Sequence, residues 1–202
     1  INEVATDLSL STTSFNENIS SGSVVATLST TDVDESDTHT YELISGSGYL
    51  DNAAFTLEGS NLKINSSPDY ETKSSYNIRL KTTDSGGLSY EKTFALSVND
   101  INDVATDISL SSSSFNENIS SGAVVATLLT KDQDTSDTHT YELVSGQGDE
   151  DNQLFTIEGN QLKIDSSPDY ETQSSYNLRL KTTDSVGLSY EEAVTFSVND
   201  LI

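Results

Sequence analysis

The residues in this sequence that could do chemistry are carboxylates, and they recur at fixed spacings. Asp32-Val33-Asp34 and Asp132-Gln133-Asp134 each place two acids on one side of an extended segment, because side chains alternate along it. Asp69-Tyr70-Glu71 does the same with one longer arm, and Glu17 and Asp184 stand singly in polar loops. In the middle of the chain, Asn99-Asp100-Ile101-Asn102-Asp103-Val104 crowds oxygen-bearing side chains into one short stretch. Two carboxylates facing each other a few ångströms apart cost on the order of 1–4 kcal/mol, depending on local dielectric. A hard divalent cation turns that cost into cross-linking. Calcium fits best, since it takes roughly 6–8 oxygens from carboxylates, amides and backbone carbonyls.

Other chemistries fail on the same residues. Asp32-x-Asp34 opens like an EF-hand loop, but the sixth position is Asp37 rather than Gly and the twelfth is Leu43 rather than Glu; Asp137 and Leu143 repeat the failure. The only histidines, His39 and His139, sit at one repeated strand position in Asp-Thr-His-Thr-Tyr and read as solvent-facing residues, not as zinc ligands or catalysts. No nucleophile elbow or glycine-rich oxyanion loop accompanies the many serines. Asp69 and Glu71 resemble a glycosidase pair only in type, for there is no tryptophan to line a sugar cleft. The expectation is a protein that is not an enzyme.

Thirty-three acids against nine bases give a formal net charge of -24, a field that repels nucleic acid and anionic membrane surfaces. No apolar run approaches the length of a membrane span. Without cysteine no disulfide framework is possible, so a secreted chain of this kind must find stability elsewhere, and metal ions are one source. The sequence opens and closes inside a repeated pattern and reads as a piece of a longer protein.

Sliding the sequence by 100 residues superimposes it without a gap, and 27 of the 100 aligned positions differ. A period of that size is a whole domain, so the expectation is two beads, 1–100 and 101–202, with their junction at about 99–104. Within a repeat, short alternating runs are separated by turn residues and no helical period stands out. The strands expected in the first are 6–10, 23–29, 39–44, 55–57, 61–64, 75–83 and 89–98. Val24, Ala26 and Leu28 are expected on one face, with Val25 and Thr27 on the other. Gly59 should turn the 55–64 hairpin with a positive φ. The architecture that fits is all-β: two tandem seven-stranded Greek-key β-sandwiches joined end to end, with the acids in end loops and the strands carrying the core.

These pieces, taken in order, resemble the cadherin repeat: Asn16-Glu17-Asn18, Asp32-x-Asp34, Asp69-Tyr70-Glu71, Thr83-Asp84-Ser85-Gly86-Gly87 and Asp100-x-Asn102-Asp103; the first three occur again in the second repeat, the fourth returns as Thr183-Asp184-Ser185-Val186-Gly187, and of the fifth Asp200 is present. The mutual identity and acidity look most similar to cadherin-like repeats of very large bacterial surface adhesins. The resemblance implies about three calcium ions at the junction. It implies that Glu17, Asp69, Glu71, Asp100 and Asp103 hold the two ions nearer the first domain. Asn102, Asp132, Asp134 and Asp184 would hold the third, with Asp103 and Asp134 also reaching the middle ion. Backbone carbonyls of Ile101, Val104 and one residue of the 135–138 loop complete the shells. Half-sites are implied at the ends, with Asn2, Glu3, Asp32, Asp34 and Asp84 at one and Glu117, Asp169, Glu171 and Asp200 at the other. The sequence departs from the family pattern at Asn16, Val104 and Thr106, where Pro, Asn and Pro are usual, and at Glu3, which stands where Asp103 does.

The function expected is a calcium-binding segment of an extracellular, cell-surface adhesin, an extender or adhesive module whose partners are neighbouring repeats of its own chain and a surface glycan or protein ligand. One alternative is a carbohydrate-binding module on a polysaccharide-active secreted protein, with a glycan patch around Tyr49 or Tyr90. Another is homophilic adhesion, although no tryptophan is present to anchor a swapped strand.

Overall fold

The computed structural model describes residues 1–201, so residue 202 of the second expected domain lies outside the described residues. The chain forms two compact units, Ile1–Ile101 and a second that begins at Asn102. In the first unit the strands are β1 (Asp7–Leu10), β2 (Ser14–Asn16), β3 (Val24–Thr31), β4 (Thr40–Leu43), β5 (Phe55–Glu58), β6 (Asn61–Ile64), β7 (Ser75–Thr83) and β8 (Ser89–Asn99). They make two four-stranded sheets, β1-β3-β6-β5 and β2-β8-β7-β4. The second unit repeats the pattern with β9 (Asp107–Leu110), β10 (Ser114–Asn116), β11 (Val124–Lys131), β12 (Thr140–Leu143), β13 (Phe155–Glu158), β14 (Gln161–Ile164), β15 (Ser175–Thr183) and β16 (Ser189–Asn199). Its sheets are β9-β11-β14-β13 and β10-β16-β15-β12.

Each unit thus has eight strands where seven are expected. The additional one is β2, three residues that pair in parallel with the end of β8, Phe15 opposite Val98 and Asn16 opposite Asn99. The Ser/Thr stretch around it carries no alternation. What makes it a strand is Phe15, whose ring is driven into the core and lies 6.3 Å from Phe55 and 6.1 Å from Tyr76.

A second correction concerns β3. The register against β6 shifts between Val24 and Ala26, a bulge that puts two successive residues, Val25 and Ala26, into the core and leaves Val24 49% exposed. The simple alternation expected there holds only beyond the bulge. In β7 it holds throughout: Tyr76, Ile78 and Leu80 are buried, and the polar residues between them face outward. Gly59 takes a φ of 59° at the β5–β6 turn, as that hairpin requires.

The two cores are built from equivalent positions and packed differently. In the first, Phe94 is partly buried beside Leu96. In the second these become Val194 and Phe196, and the Phe196 ring moves fully inside, 5.9 Å from Phe115 and 6.5 Å from Phe155. The volume lost at one inward position is regained two residues along the same strand.

Candidate metal centre

The parallel pairing of β2 with β8 decides where the first acid goes. It carries Glu17, the residue after β2, alongside Asn99 and Asp100, and the Glu17 amide donates to the Asn99 carbonyl at 3.2 Å. Asn18 follows with a φ of 59° and donates its amide to the Pro68 carbonyl at 2.9 Å, so the β6–β7 corner closes over the same place. Glu17 is consequently buried, at 2% exposure. A buried carboxylate must be hydrogen-bonded or neutralised. Its Oε2 accepts from the Tyr70 amide at 2.7 Å and its Oε1 from the Ile101 amide at 2.7 Å. Those bonds do not cancel its charge, and no cationic side chain pairs with it among the described residues. Instead Glu17, Glu71 and Asp100 each offer a carboxylate oxygen within 4.8 Å of the others.

The second unit repeats the arrangement with Glu117, Glu171 and Asp200. Glu117 Oε1 accepts from the Leu201 amide at 2.7 Å and Oε2 from the Tyr170 amide at 3.1 Å. Like charges leave their mark there. The backbone amide of Glu171 pulls its own carboxyl down, but the charge of Glu117, burial, Asp169 and Asp200 together outweigh it and hold the group above its ordinary range. A triad of acids crowded this way is suited to a hard cation, which would reverse the sign of every one of those interactions.

The opposite end of each unit gathers a second set of acids. In the second unit Asn102 donates its amide to Asp184 Oδ2 at 2.9 Å, and the Asp103 amide donates to Asp134 Oδ2 at 2.6 Å. Asp184 Oδ1 accepts from the amides of Val186, Gly187 and Leu188 at 2.9, 2.6 and 2.9 Å. Burial pushes Asp184 up, but the Asn102 amide and the three backbone N–H groups outweigh it and keep the carboxyl below its usual range. Asp134 donates its amide to Asp132 Oδ1 at 3.2 Å, which fixes the two acids of Asp-x-Asp side by side. The first unit matches it: Asn2 donates to Asp84 Oδ2 at 3.2 Å and the Glu3 amide to Asp34 Oδ2 at 2.7 Å. Ile101 and Val104 leave their side chains exposed, so only their backbone carbonyls could serve a cation.

Three placements go beyond what the spacings express. Asp69 also holds its own corner, its Oδ1 accepting the Thr72 amide at 3.0 Å and its Oδ2 the Thr72 hydroxyl at 2.9 Å. Asp169 likewise takes the Thr172 hydroxyl at 2.8 Å, and that bond is the largest of those holding its carboxyl low. Both acids brace the corner that carries Glu71 and Glu171. The histidines are not solvent-facing: His39 and His139 keep 12% and 11% of their side chains exposed, with Nε2 3.0 Å from Asp32 and Asp132 Oδ2. His39 has the same parity as the inward Tyr41 and Leu43, so alternation already points it inside. Finally, Asp37 joins Asp32 and Asp84 in a third group whose oxygens lie within 4.8 Å of one another. Its signal in the sequence is an Asp-x-Asp-x-x-Asp spacing that both repeats keep while positions 33 and 35 change.

No protein-family model matches the chain. Among curated proteins it is 33% identical over 199 residues to human protocadherin gamma-A11, a match that takes in 91% of this chain and 20% of the relative. It is 28% identical over 190 residues to mouse protocadherin Fat 4, covering 92% of this chain and 4% of that one. The chain therefore spans a fifth or less of the length of these relatives. Among solved structures, human protocadherin-24 EC1-2 superimposes with a TM-score of 0.66 at 23% identity over all of both chains. The protocadherin GammaB4 extracellular domain gives 0.61 at 25% identity, over 96% of this chain and 32% of that one. The chain is all-β and consists of two cadherin-like domains in tandem. The relatives found are animal protocadherins, whereas the sequence reading pointed to bacterial surface adhesins.

Proposed function

We propose that this chain is a calcium-rigidified segment of an extracellular surface adhesin, acting as an extender or adhesive module and performing no catalysis. The observation that carries the reading is Glu17: a buried, uncompensated carboxylate grouped with Glu71 and Asp100 while its other bond holds the Ile101 amide, on the stretch that leads out of the unit. The domain limits we adopt are 1–100 and 101–202, supported by compact units that divide between Ile101 and Asn102. About three calcium ions would be held at the junction by Glu17, Asp69, Glu71, Asp100, Ile101, Asn102, Asp103, Val104, Asp132, Asp134 and Asp184. The end groups would bind further ions when neighbouring repeats complete them.

Calcium supplies charge neutralisation; the chain supplies the geometry. Glu17 and Asp184 are each held in place by backbone N–H groups, so little ordering is left to be done when the cation arrives. Binding to the folded chain alone then stabilises it by mass action. A bacterial surface protein built from many such repeats is the setting we favour, because 73 of the 100 aligned positions are identical between neighbours. An extracellular setting also agrees with the extracellular domains it superimposes on. Nothing in the two units favours the carbohydrate module, since exposed Tyr49 becomes Asp149 and Tyr90 packs partly against the core.

The test is a thermal melt with small-angle scattering, in EDTA and in calcium at about 5 mM, above the ~0.1–1 mM at which extracellular modules fill. The expected result is a large rise in melting temperature with a longer, stiffer particle in calcium. Asp103→Ala should remove most of the effect. A protein indifferent to calcium in both measurements would make the acids a solvated surface and end the proposal.

A further inference from the structure

The β3–β4 loop of each unit contains one carboxylate oxygen that nothing in the protein satisfies. Asp37 donates its backbone amide to the Asp34 carbonyl at 2.9 Å, and its Oδ1 accepts from the Ser85 hydroxyl at 2.8 Å. Its Oδ2 is buried and has no hydrogen-bond partner. Asp137 repeats every part of this, with Asp134 at 3.0 Å and Ser185 at 3.1 Å, and with the same oxygen buried and unpartnered. These two are the only side-chain atoms of that kind among the described residues.

A buried anionic oxygen without a partner is costly, and a fold tolerates it where something else arrives to fill the need. The surroundings say what. Asp32, Asp37 and Asp84 bring carboxylate oxygens within 4.8 Å of one another, and Asp132, Asp134 and Asp137 line one cavity in the second unit. Among the described residues no lysine or arginine forms an ion pair with any of these acids, and His39 and His139 reach only Asp32 and Asp132, which leaves the place open to a cation from solution.

We infer that Asp37 and Asp137 are themselves cation ligands, each contributing a side-chain carboxylate to the ion held by Asp32 and Asp84 or by Asp132 and Asp184. The loop then gives a charged oxygen where the family resemblance implies only a backbone carbonyl from residues 135–138. Ser85 and Ser185 are positioning residues that hold the outer oxygen so the inner one faces the site. The inference rests on the calcium reading above and deepens it: charge count tunes calcium affinity, so this loop makes a tighter site than one built with a neutral ligand.

The test compares the wild-type 202-residue chain with Asp137→Asn and Ser185→Ala, by calorimetric calcium titration and by melts in EDTA. Asparagine keeps the shape and an acceptor for Ser185 but removes the charge. The expected result for Asp137→Asn is at least about a tenfold loss of affinity at one class of site, the loss that even an outer partner's removal brings. Its melting temperature in EDTA should be unchanged or higher, because the unsatisfied charge is gone, and Ser185→Ala should lose less than Asp137→Asn. Wild-type affinity and stoichiometry in Asp137→Asn would overturn the inference while leaving the junction reading intact. So would an EDTA melt that falls, or a variant that does not fold, since Asp137 would then be a structural brace. A wild-type chain that takes up no calcium would end both.

Discussion

At one place the two units have reversed their charge. In the first, Lys92 Nζ reaches Asp7 Oδ1 at 2.6 Å, linking β8 to β1, and lies 5.5 Å from the centre of the Phe94 ring. In the second that lysine is Glu192, and it meets the equivalent acid, Asp107. Burial first, and then the charge of Asp107, hold the Glu192 carboxyl above its usual range, while Tyr190 donates to it at 3.3 Å. Lys131 stands opposite Asp107 across the β9–β11 ladder, where the first unit has Thr31. Of the 27 differing positions, five fall in the single stretch 92–96, whereas only one, Glu3 against Asp103, falls on a candidate ligand. The strands tolerate exchange of volume and of charge. The acid loops exchange spacer residues, at 33, 35 and 86, but keep the carboxylates on which their geometry depends.

The largest expected effect tests the repacked cores. Phe196→Ala removes a ring with two aromatic neighbours and should destabilise the second unit by about 3–5 kcal/mol. The double exchange Val194→Phe with Phe196→Leu, which restores the first unit's pattern, should cost less than about 1.5 kcal/mol in a urea melt. A swap as damaging as the truncation would mean that the cores are not interchangeable.

A middle-sized effect compares the two buried glutamates. Glu17→Ala leaves the Tyr70 and Ile101 amides without their acceptor, at a cost of about 1–3 kcal/mol each in EDTA. Glu117→Ala should cost less, because its bond from Tyr170 is 3.1 Å long against 2.7 Å from Tyr70. Equal losses would show that bond length is not what separates the two ends.

The smallest effect concerns the reversed charge. Glu192→Lys should stabilise the second unit at neutral pH by no more than about 1 kcal/mol, the scale of a partly exposed pair. The sign with pH is opposite in the two units. Glu192 is raised, so its penalty is present above its folded value and disappears as pH falls through that value toward the unfolded one. Asp7 is lowered, chiefly by its hydrogen bond from Lys92, so its contribution is present above the unfolded carboxylate value and lost as pH falls below it. Melts of wild type and Glu192→Lys between pH 4 and pH 7 should therefore converge as the pH falls; curves that stay parallel would remove Glu192 as the cause.

Much of the fold was legible because most strands write their pairing into their own residues. β7 and β15 bury every second side chain over their whole length. What was hidden is set by partners elsewhere. β2 is a strand because Phe15 is anchored in the core with β8 beside it, and the bulge in β3 follows from its register against β6. The acids were visible as spacings, but spacing cannot tell which carboxylate oxygens are already taken. Asp69 and Asp37 are both loop acids, and the Thr72 and Ser85 hydroxyls, distant or near in sequence, determine which oxygens are left over.

The short strand β2 has a mechanical consequence. It runs in the same direction as β8, so tension that draws the beginning of a unit one way and its end the other slides the two strands along each other. Their hydrogen bonds then carry the load together and must fail together, whereas an antiparallel pair pulled from one end opens bond by bond. Under sustained pulling, survival is governed by the rate of escape from the native state. The three residues Ser14–Asn16, with Phe15 buried in the core, form that parallel pair in the first unit, and Ser114–Asn116 form it in the second.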